Sequence, residues 1–158
     1  MPSHECLDQL DRYLEAIDKK ILAGGGQTWD CLSPPERATI TAYFLALEIS
    51  NGGIEQFFIN PAGDRWRETH DALKTVGATR LADLFEEALS VFPNGRPSTD
   101  QLTRCHQYEE AGGHAEQLLL RLTNAYYDLQ EEGPADCLYE ILTEFAIKQL
   151  ANEQNGGA

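Results

Sequence analysis

Apolar residues recur every three or four positions along nearly the whole chain, a spacing that places them on one face of an α-helix. The first segment shows this spacing in Leu7, Leu10, Leu14, Ile17 and Ile21. Glycine and proline clusters separate each such segment from the next. Because no segment alternates like a β-strand and then enters a hairpin turn, the pattern predicts an all-α fold, a compact bundle of about six to eight helices.

Length and composition are consistent with one such bundle. The chain has 158 residues, and 42% of them are hydrophobic. A domain of this size typically buries about 68–70% of the surface that its unfolded chain exposes. No linker divides the sequence, so we expect a single helical domain over residues 1–150 and a flexible C-terminal tail over residues 151–158.

Local signals predict where three of the helices begin. Ser33-Pro-Pro-Glu36 combines an N-cap serine, two prolines and a glutamate three residues after the serine, which is typical of a helix start. Ser98 or Thr99 is predicted to cap a later helix. The last helix is predicted over residues 135–150, directly after Gly133-Pro134.

The stretch from Glu48 to Asp64 places a glycine pair between two apolar helical segments. Backbone amides at a helix start can bind phosphate, but no lysine, serine or threonine follows where a phosphate loop needs one. We favour a structural corner, with a left-handed cap at Asn51 or Gly52. Gln56 and Asn60 are predicted to hydrogen-bond its backbone, and Phe57 and Phe58 to anchor the core. The predicted corner residues are Asn51, Gly52, Gly53, Gln56, Phe57, Phe58 and Asn60.

Candidate chemistry is weak elsewhere. His106 and His114 lie near Cys105, Glu109 and Glu110, but they lack the closely spaced ligand pairs of a zinc site. No local signature pairs a cysteine with a histidine as a nucleophile and its base. We therefore predict no catalytic residue, no metal site, no cofactor and no enzyme activity.

The formal net charge of −14 is unusual, since small soluble domains typically carry a magnitude of about 2–8. A field of this sign repels nucleic acid and anionic membranes and attracts basic proteins. The start of the chain does not read as a secretory signal, and no segment approaches the roughly 20 apolar residues that span a bilayer. We expect a cytoplasmic protein that binds neither nucleic acid nor membranes directly.

The negative charge is concentrated toward the C-terminus. Residues 105–158 hold ten acidic and two basic side chains and so carry −8 of the total. Asp136, Glu140 and Glu144 are predicted to form a row along one side of the last helix, where like charges mildly oppose folding. Such a face can serve solvation alone. The candidate partner-binding residues are Glu109, Glu110, Asp128, Glu131, Glu132, Asp136, Glu140 and Glu144.

The alternative to solvation is imitation of DNA. Residues four apart on a helix rise about 6 Å, and phosphates on one strand of B-DNA rise about 3.4 Å each. One carboxylate per helical turn could therefore match every second phosphate of a strand. A Lys/Arg-rich DNA-binding surface would be attracted to such a row.

The chain also resembles a known family. The run Leu47-Glu-Ile-Ser-Asn-Gly-Gly-Ile-Glu-Gln-Phe-Phe-Ile-Asn60, followed by Ala72-Leu73, Val76-Gly-Ala78, Ala82 and Phe92-Pro93, is similar to the DNA mimic protein 19 family. The resemblance covers about residues 33–150. Ile54 stands where a phenylalanine is usual, which keeps the position apolar.

This resemblance implies an all-helical fold, a homodimer and an acidic decoy that occupies the DNA-binding surface of a transcription factor. The expected partner is then a basic DNA-binding protein. Two other functions fit the same acidity: an immunity protein or inhibitor that blocks a basic nuclease toxin, and a housekeeping domain whose charge serves solubility. The motif identifies the scaffold and contains none of the candidate partner-binding carboxylates.

Overall fold

The computed structural model describes residues 4–25 and 29–156, and in these ranges the chain is all-α, as predicted. Short 3₁₀ turns at Pro61–Arg65 and Pro93–Gly95 connect some of the helices. The helices are α1 His4–Ala23, α2 Pro34–Ile59, α3 Trp66–Val76, α4 Thr79–Leu89, α5 Gln101–Glu132 and α6 Leu138–Gly156. Within the described ranges, no helix is both long and apolar enough to cross a membrane.

The predicted start of α2 is confirmed. The Ser33 hydroxyl accepts from the Glu36 amide, and the Ser33 amide donates to the Glu36 carboxylate over 2.9 Å. Lys20 of α1 also donates to Glu36, whose side chain is buried. Burial alone would raise the pKa of Glu36, but the hydrogen bonds from Lys20 and Ser33 hold it below its ordinary value of 4.5. This carboxylate therefore joins α1 to α2.

The predicted cap of α5 at Ser98 or Thr99 was wrong, because Asp100 is the N-cap. Its carboxylate accepts from the Thr103 amide over 2.9 Å. The Ser98 hydroxyl accepts from the Asp100 amide, so Ser98 supports the cap from outside the helix. Aspartate is as good an N-cap as serine, so the residue types alone do not show which of these neighbouring positions caps the helix.

The last helix differs from its predicted range at both ends. It begins at Leu138, because the amides of Asp136 and Cys137 turn back to the carbonyl of Gly133. It continues to Gly156 with exposed side chains, through most of the segment that we predicted as a flexible tail. Residues 151–155 contain no glycine or proline to stop a helix, which explains the extension. Residues 157–158 lie outside the described ranges.

The core is one cluster in which α2 packs against α3 and α5. Phe57 and Phe58 are buried at its centre, so their predicted role as core anchors is confirmed. The ring of Phe57 lies 5.4 Å from that of Phe85, and the ring of Phe58 lies 4.9 Å from that of Phe92. These edge and tilted contacts join the second half of α2 to α4 and the loop after it.

Glycines divide both long helices into two arms. In α2 the break lies at Gly52 and Gly53, and in α5 it lies at Gly112, whose φ is 67° and ψ −158°. The first arm of α5 contacts the second arm of α2, whereas the second arm of α5 contacts the α2 corner and α4. Helix α5 therefore supports two separate regions of the molecule.

Candidate partner-binding surface

The Asn-Gly-Gly corner is closed by side chains from α5. The amide of Ile54 donates to the hydroxyl of Thr123 over 2.9 Å, and the hydroxyl of Tyr127 donates to the carbonyl of Ile49 over 3.2 Å. Both are backbone groups that lose their helical partners where α2 breaks. The Thr123 hydroxyl accepts the hydrogen bond of the Ile54 amide at the start of the second arm, where a phosphate would bind. The corner is therefore a structural element.

The position of the strained glycine differs from the predicted one. The positive φ, 77°, is at Gly53, and neither Asn51 nor Gly52 adopts a left-handed conformation. A Cβ atom at Gly53 would lie 2.9 Å from the Thr123 hydroxyl. Gly53 is required both by its φ and by the close approach of α5, and the cap comes from α5 instead of from the corner itself.

The two predicted hydrogen-bonding side chains of the corner also act differently. The amide of Asn60 donates to the carboxylate of Glu48 over 2.9 Å, which joins the two arms of α2 through side chains. The Gln56 side chain lies against Gly52, where a Cβ atom would meet its Oε1 at 2.6 Å. Both partners, Glu48 and Gly52, belong to α2 itself, so the break in the helix brings these side chains together.

Arg104 is the most buried charge in the described ranges, with 0% exposure, and it was not among the residues predicted from the sequence. Its guanidinium donates to the carbonyls of Phe58, Asn60 and Ser98 over 2.6–2.8 Å and to the Asp64 carboxylate over 2.8 Å. These carbonyls include those left open at the end of α2. The only available signal was position, because Arg104 lies four residues before the buried Tyr108 on the inward face of α5.

The eight candidate acidic residues do not form one surface. Glu109 and Glu110 are exposed on the first arm of α5 beside His106, at 3.9 and 3.4 Å from its ring nitrogens. Asp128 follows Gly112 by roughly 24 Å of helical rise along the second arm. Glu109 and Glu110 therefore belong to a different part of the molecule from the acids near the end of α5.

The predicted acidic row on the last helix is interrupted. Asp136 lies in the turn before α6, where Arg80 of α4 donates to its carboxylate over 3.0 Å. Glu140 is half-buried, and Glu144 lies 4.0 Å from Lys148. The row fails because α6 begins after Asp136, so the four-residue spacing starts outside the helix.

The structure brings three candidates together near α4. Arg80 forms ion pairs with Glu132 and Asp136, and Asp128 lies one turn before Glu132 on the same arm of α5. Glu131, also exposed, is the adjacent residue. The second arm of α5 and the following turn therefore hold half of the predicted partner-binding residues.

Helix α4 adds two acids that charge counting from Cys105 onward did not include. Glu87 pairs with Arg121 of α5. Asp83 lies between Arg80 and Glu87 in the sequence of α4. It lines a cleft of about 290 Å³ together with Asp128 and Glu132. We define the α4–α5 face as Arg80, Asp83, Glu87, Arg121, Asp128, Glu132 and Asp136. It holds five carboxylates and two guanidinium groups.

Metal-binding chemistry finds no further support in the geometry. Over residues 4–25 and 29–156, no three His, Cys, Asp or Glu side chains are grouped to hold a metal ion. The thiol of Cys105, a member of the weak candidate cluster, points to the carbonyl of Ile59 at 3.5 Å. The arrangement on the α4–α5 face suits charge attraction to a cationic group instead.

Comparison with known families places the chain. A family model described as DMP19-like protein matches residues 30–149, a range that includes the corner, Arg104 and most of the helical bundle. The α4–α5 face also lies wholly inside it. Neither a curated protein nor a solved structure matches the chain.

Proposed function

Since the chain belongs to the DMP19-like protein family, we propose that it acts as an acidic mimic of DNA. In this proposal it is not an enzyme. It binds the DNA-binding surface of a basic protein, such as a transcription factor, and competes with DNA for that surface.

The excess of carboxylates on the α4–α5 face is the observation that carries the proposal. Two of its five acids, Asp83 and Asp128, form no ion pair with any residue that the structure describes. The other three share only Arg80 and Arg121. The face therefore keeps a net negative charge at neutral pH, and its field would attract a lysine- and arginine-rich surface.

The spacing of the acids also supports mimicry. Asp128 and Glu132 are four residues apart on an α-helix, which gives a rise of about 6 Å. Alternate phosphates on a strand of B-DNA rise about 6.8 Å, twice the step of 3.4 Å. Side chains that bind alternate phosphates could thus bind successive carboxylates along the helix with small rotamer changes.

The test is competition between the protein and DNA for one partner. The protein is immobilised, and partners from a lysate of its source cells are eluted with salt, with duplex DNA or with polyglutamate at equal charge. We expect a basic DNA-binding protein that salt and duplex DNA release and that polyglutamate releases less efficiently. A partner that duplex DNA leaves bound would contradict the proposal.

The identity of the partner separates two versions of the function. A transcription factor or another non-catalytic DNA-binding protein agrees with a mimic regulator, whereas a nuclease whose activity the protein blocks agrees with an immunity protein. The homodimer implied by the family resemblance is a separate prediction, which analytical ultracentrifugation of the free protein tests.

A further inference from the structure

A cavity lined mainly by apolar and aromatic side chains lies beside the first arm of α2. Its volume is about 280 Å³, and its wall is formed by both arms of α2, the 3₁₀ turn at Pro61–Arg65, the start of α3 and the loop that carries Trp29. Trp29, Phe44 and Phe57 contribute three rings to this wall. Sites for small molecules are typically apolar, aromatic cavities of about 300–1,000 Å³ with few polar groups. The cavity matches this composition near the lower end of the size range.

The aromatic wall is held in place and yet remains partly open to solvent. The rings of Trp29 and Phe44 are parallel within 6°, with their centroids 5.8 Å apart. The guanidinium of Arg65 lies 3.9 Å from the centroid of the Trp29 ring, and Arg37 donates to the Trp29 carbonyl over 3.0 Å. Phe44 nevertheless keeps 42% of its surface exposed. A planar apolar group that covered this wall would be stabilised without rearranging it.

Thr41 is the polar residue of this wall that lacks a partner. Its side chain is only 5% exposed, and its buried hydroxyl forms no hydrogen bond with any residue in the ranges 4–25 and 29–156. A threonine in a helix can bond the carbonyl four residues earlier. The other buried threonines of these ranges all make that bond, namely Thr39, Thr69, Thr123 and Thr143. Because a buried hydroxyl without a partner is unfavourable, the exception at Thr41 indicates a bonding group from outside the chain.

The remaining polar groups of the wall already have partners. The carboxylate of Glu48 accepts from the amide of Asn60 over 2.9 Å, and the Thr69 hydroxyl donates to the carbonyl of Arg65 over 3.1 Å. Glu48 and Arg65 carry opposite charges, so the wall has no formal net charge. A ligand that fits this wall is therefore neutral and carries one polar group, which bonds Thr41.

The size of the cavity limits the ligand further. An apolar cavity of about 150 Å³ holds benzene, so about 280 Å³ accommodates roughly two fused rings. We propose that this cavity binds a neutral, planar heteroaromatic molecule of one or two rings, which packs against Phe44 and Trp29 and hydrogen-bonds the hydroxyl of Thr41. The site shares no residue with the α4–α5 face, so the proposal stands apart from the DNA-mimic function.

Two pairs of probes test the class of ligand. Indole offers a hydrogen-bond donor and quinoline an acceptor, since a hydroxyl can use either, whereas indene and naphthalene have the same shapes without the polar group. Each probe is titrated into ¹⁵N-labelled protein. We expect at least one heteroaromatic probe to bind about three- to tenfold more tightly than its hydrocarbon. No saturable binding of indole or quinoline at millimolar concentration, or equal affinities within both pairs, would overturn the proposal.

The two tryptophans report the location in the same titrations. Trp29 lines the cavity, whereas Trp66 does not and donates its indole N–H to the carbonyl of Pro97 over 2.9 Å. We expect the indole N–H signal of Trp29 to shift far more than that of Trp66. Larger shifts at Trp66, or at residues remote from the cavity, would place the probe elsewhere and overturn the proposal.

Matched threonine variants test the hydrogen bond. Thr41→Val keeps the shape of the side chain, and we expect it to abolish the preference for the heteroaromatic probe. The unfolding midpoint should not fall, because the Thr41 hydroxyl has no bond within the described ranges to lose. Thr39→Val is the control, since the Thr39 hydroxyl bonds the carbonyl of Pro35 and does not line the cavity, and it should keep the preference. An unchanged preference in Thr41→Val, or a clear loss of its stability, would overturn the proposal.

The aromatic wall has its own test. Phe44→Ala removes a partly exposed ring, and we expect both members of each probe pair to bind about tenfold more weakly or worse. Leu102→Ala, at an exposed apolar residue of α5 outside the cavity, is the control and should bind the probes as wild type does. Equal affinities in these two variants would show that the probes bind elsewhere and would contradict the proposal.

Discussion

The α2 corner and the α4–α5 face are both completed by the second arm of α5. They differ in whether their polar groups have partners. At the corner, Thr123 and Tyr127 satisfy backbone groups that the helix break leaves open. Further along the same arm, Asp128 and Glu132 line a cleft with Asp83 of α4. The comparison separates a region built for stability from a region where unneutralised charge remains available.

This difference indicates separate roles for the Asn-Gly-Gly motif and for the acidic residues. The Asn-Gly-Gly motif belongs to the region where groups are satisfied, so substitutions there should reduce folding stability. The acids of the α4–α5 face lie outside that region, so neutral substitutions there should alter binding and leave folding nearly unchanged.

The largest effect on stability is expected at Arg104. Arg104→Met removes the guanidinium and leaves the carbonyls of Phe58, Asn60 and Ser98 and the Asp64 carboxylate without their donor. We expect a loss of about 3 kcal/mol or more in the free energy of unfolding, measured by urea denaturation, because each acceptor left unsatisfied costs about 1–3 kcal/mol. Arg96→Met, at an exposed arginine in the preceding loop, is the control and should change stability by less than about 0.5 kcal/mol. A similar, small loss in both variants would contradict this role of Arg104.

The next largest effect is expected at the corner. Thr123→Val keeps the shape of the side chain but removes the acceptor of the Ile54 amide. The unpaired buried amide should cost about 1–3 kcal/mol. Thr123→Ser keeps the hydroxyl and serves as the control, so the valine variant should unfold at clearly lower urea concentration than the serine variant. Equal midpoints would mean that the hydroxyl does not support the corner.

A pH-dependent effect is expected at Glu36. Its pKa in the folded protein lies below the ordinary value of 4.5, so its contribution to stability is complete above pH 4.5 and is lost as the pH falls through the folded pKa. The contribution should be about 1.5–3 kcal/mol, the size of a hydrogen bond to a charged group. Glu36→Gln should therefore be less stable than wild type at pH 7, and the difference should shrink below pH 4.5. A difference that is constant between pH 3 and 7 would exclude this linkage.

The smallest effect on stability is expected on the α4–α5 face. Asp83→Asn with Asp128→Asn relieves repulsion and removes no hydrogen bond that the structure shows for either side chain. The free energy of unfolding should stay within about 0.5 kcal/mol of wild type, with any change toward greater stability. Thermal unfolding at low and high salt measures this, and the difference from wild type should disappear at high salt. A clear destabilisation would mean that these carboxylates are structural.

The sequence predicted the scaffold well because local physics determines it. Apolar spacing located the helices, and Ser33 with Glu36 defined the start of α2. The glycine pair marked the corner, but the partner that closes it, Thr123, lies 69 residues away from Ile54. Arg104 was missed for the same reason, since an arginine on a helix reads as exposed until its tertiary partners are known.

The candidate surface was predictable only in part. Counting charge located Asp128 and Glu132, but it also joined Asp136 to a helical row that α6 does not include. It omitted Asp83, because which α4 residues face α5 depends on how the two helices pack. Sequence therefore gave the sign of the surface, and the packing of α4 against α5 determined which carboxylates lie together.

The most direct test of the account is a paired measurement of stability and partner binding. The basic DNA-binding protein recovered by DNA-sensitive capture is titrated against wild type, the Asp83→Asn/Asp128→Asn variant and an Asp8→Asn/Asp11→Asn control at exposed positions of α1, and urea unfolding is recorded for each. The account predicts that only the α4–α5 variant loses affinity by about tenfold or more, while all three proteins are equally stable. Equal affinities in the two variants, or an α4–α5 variant that loses stability along with binding, would contradict it.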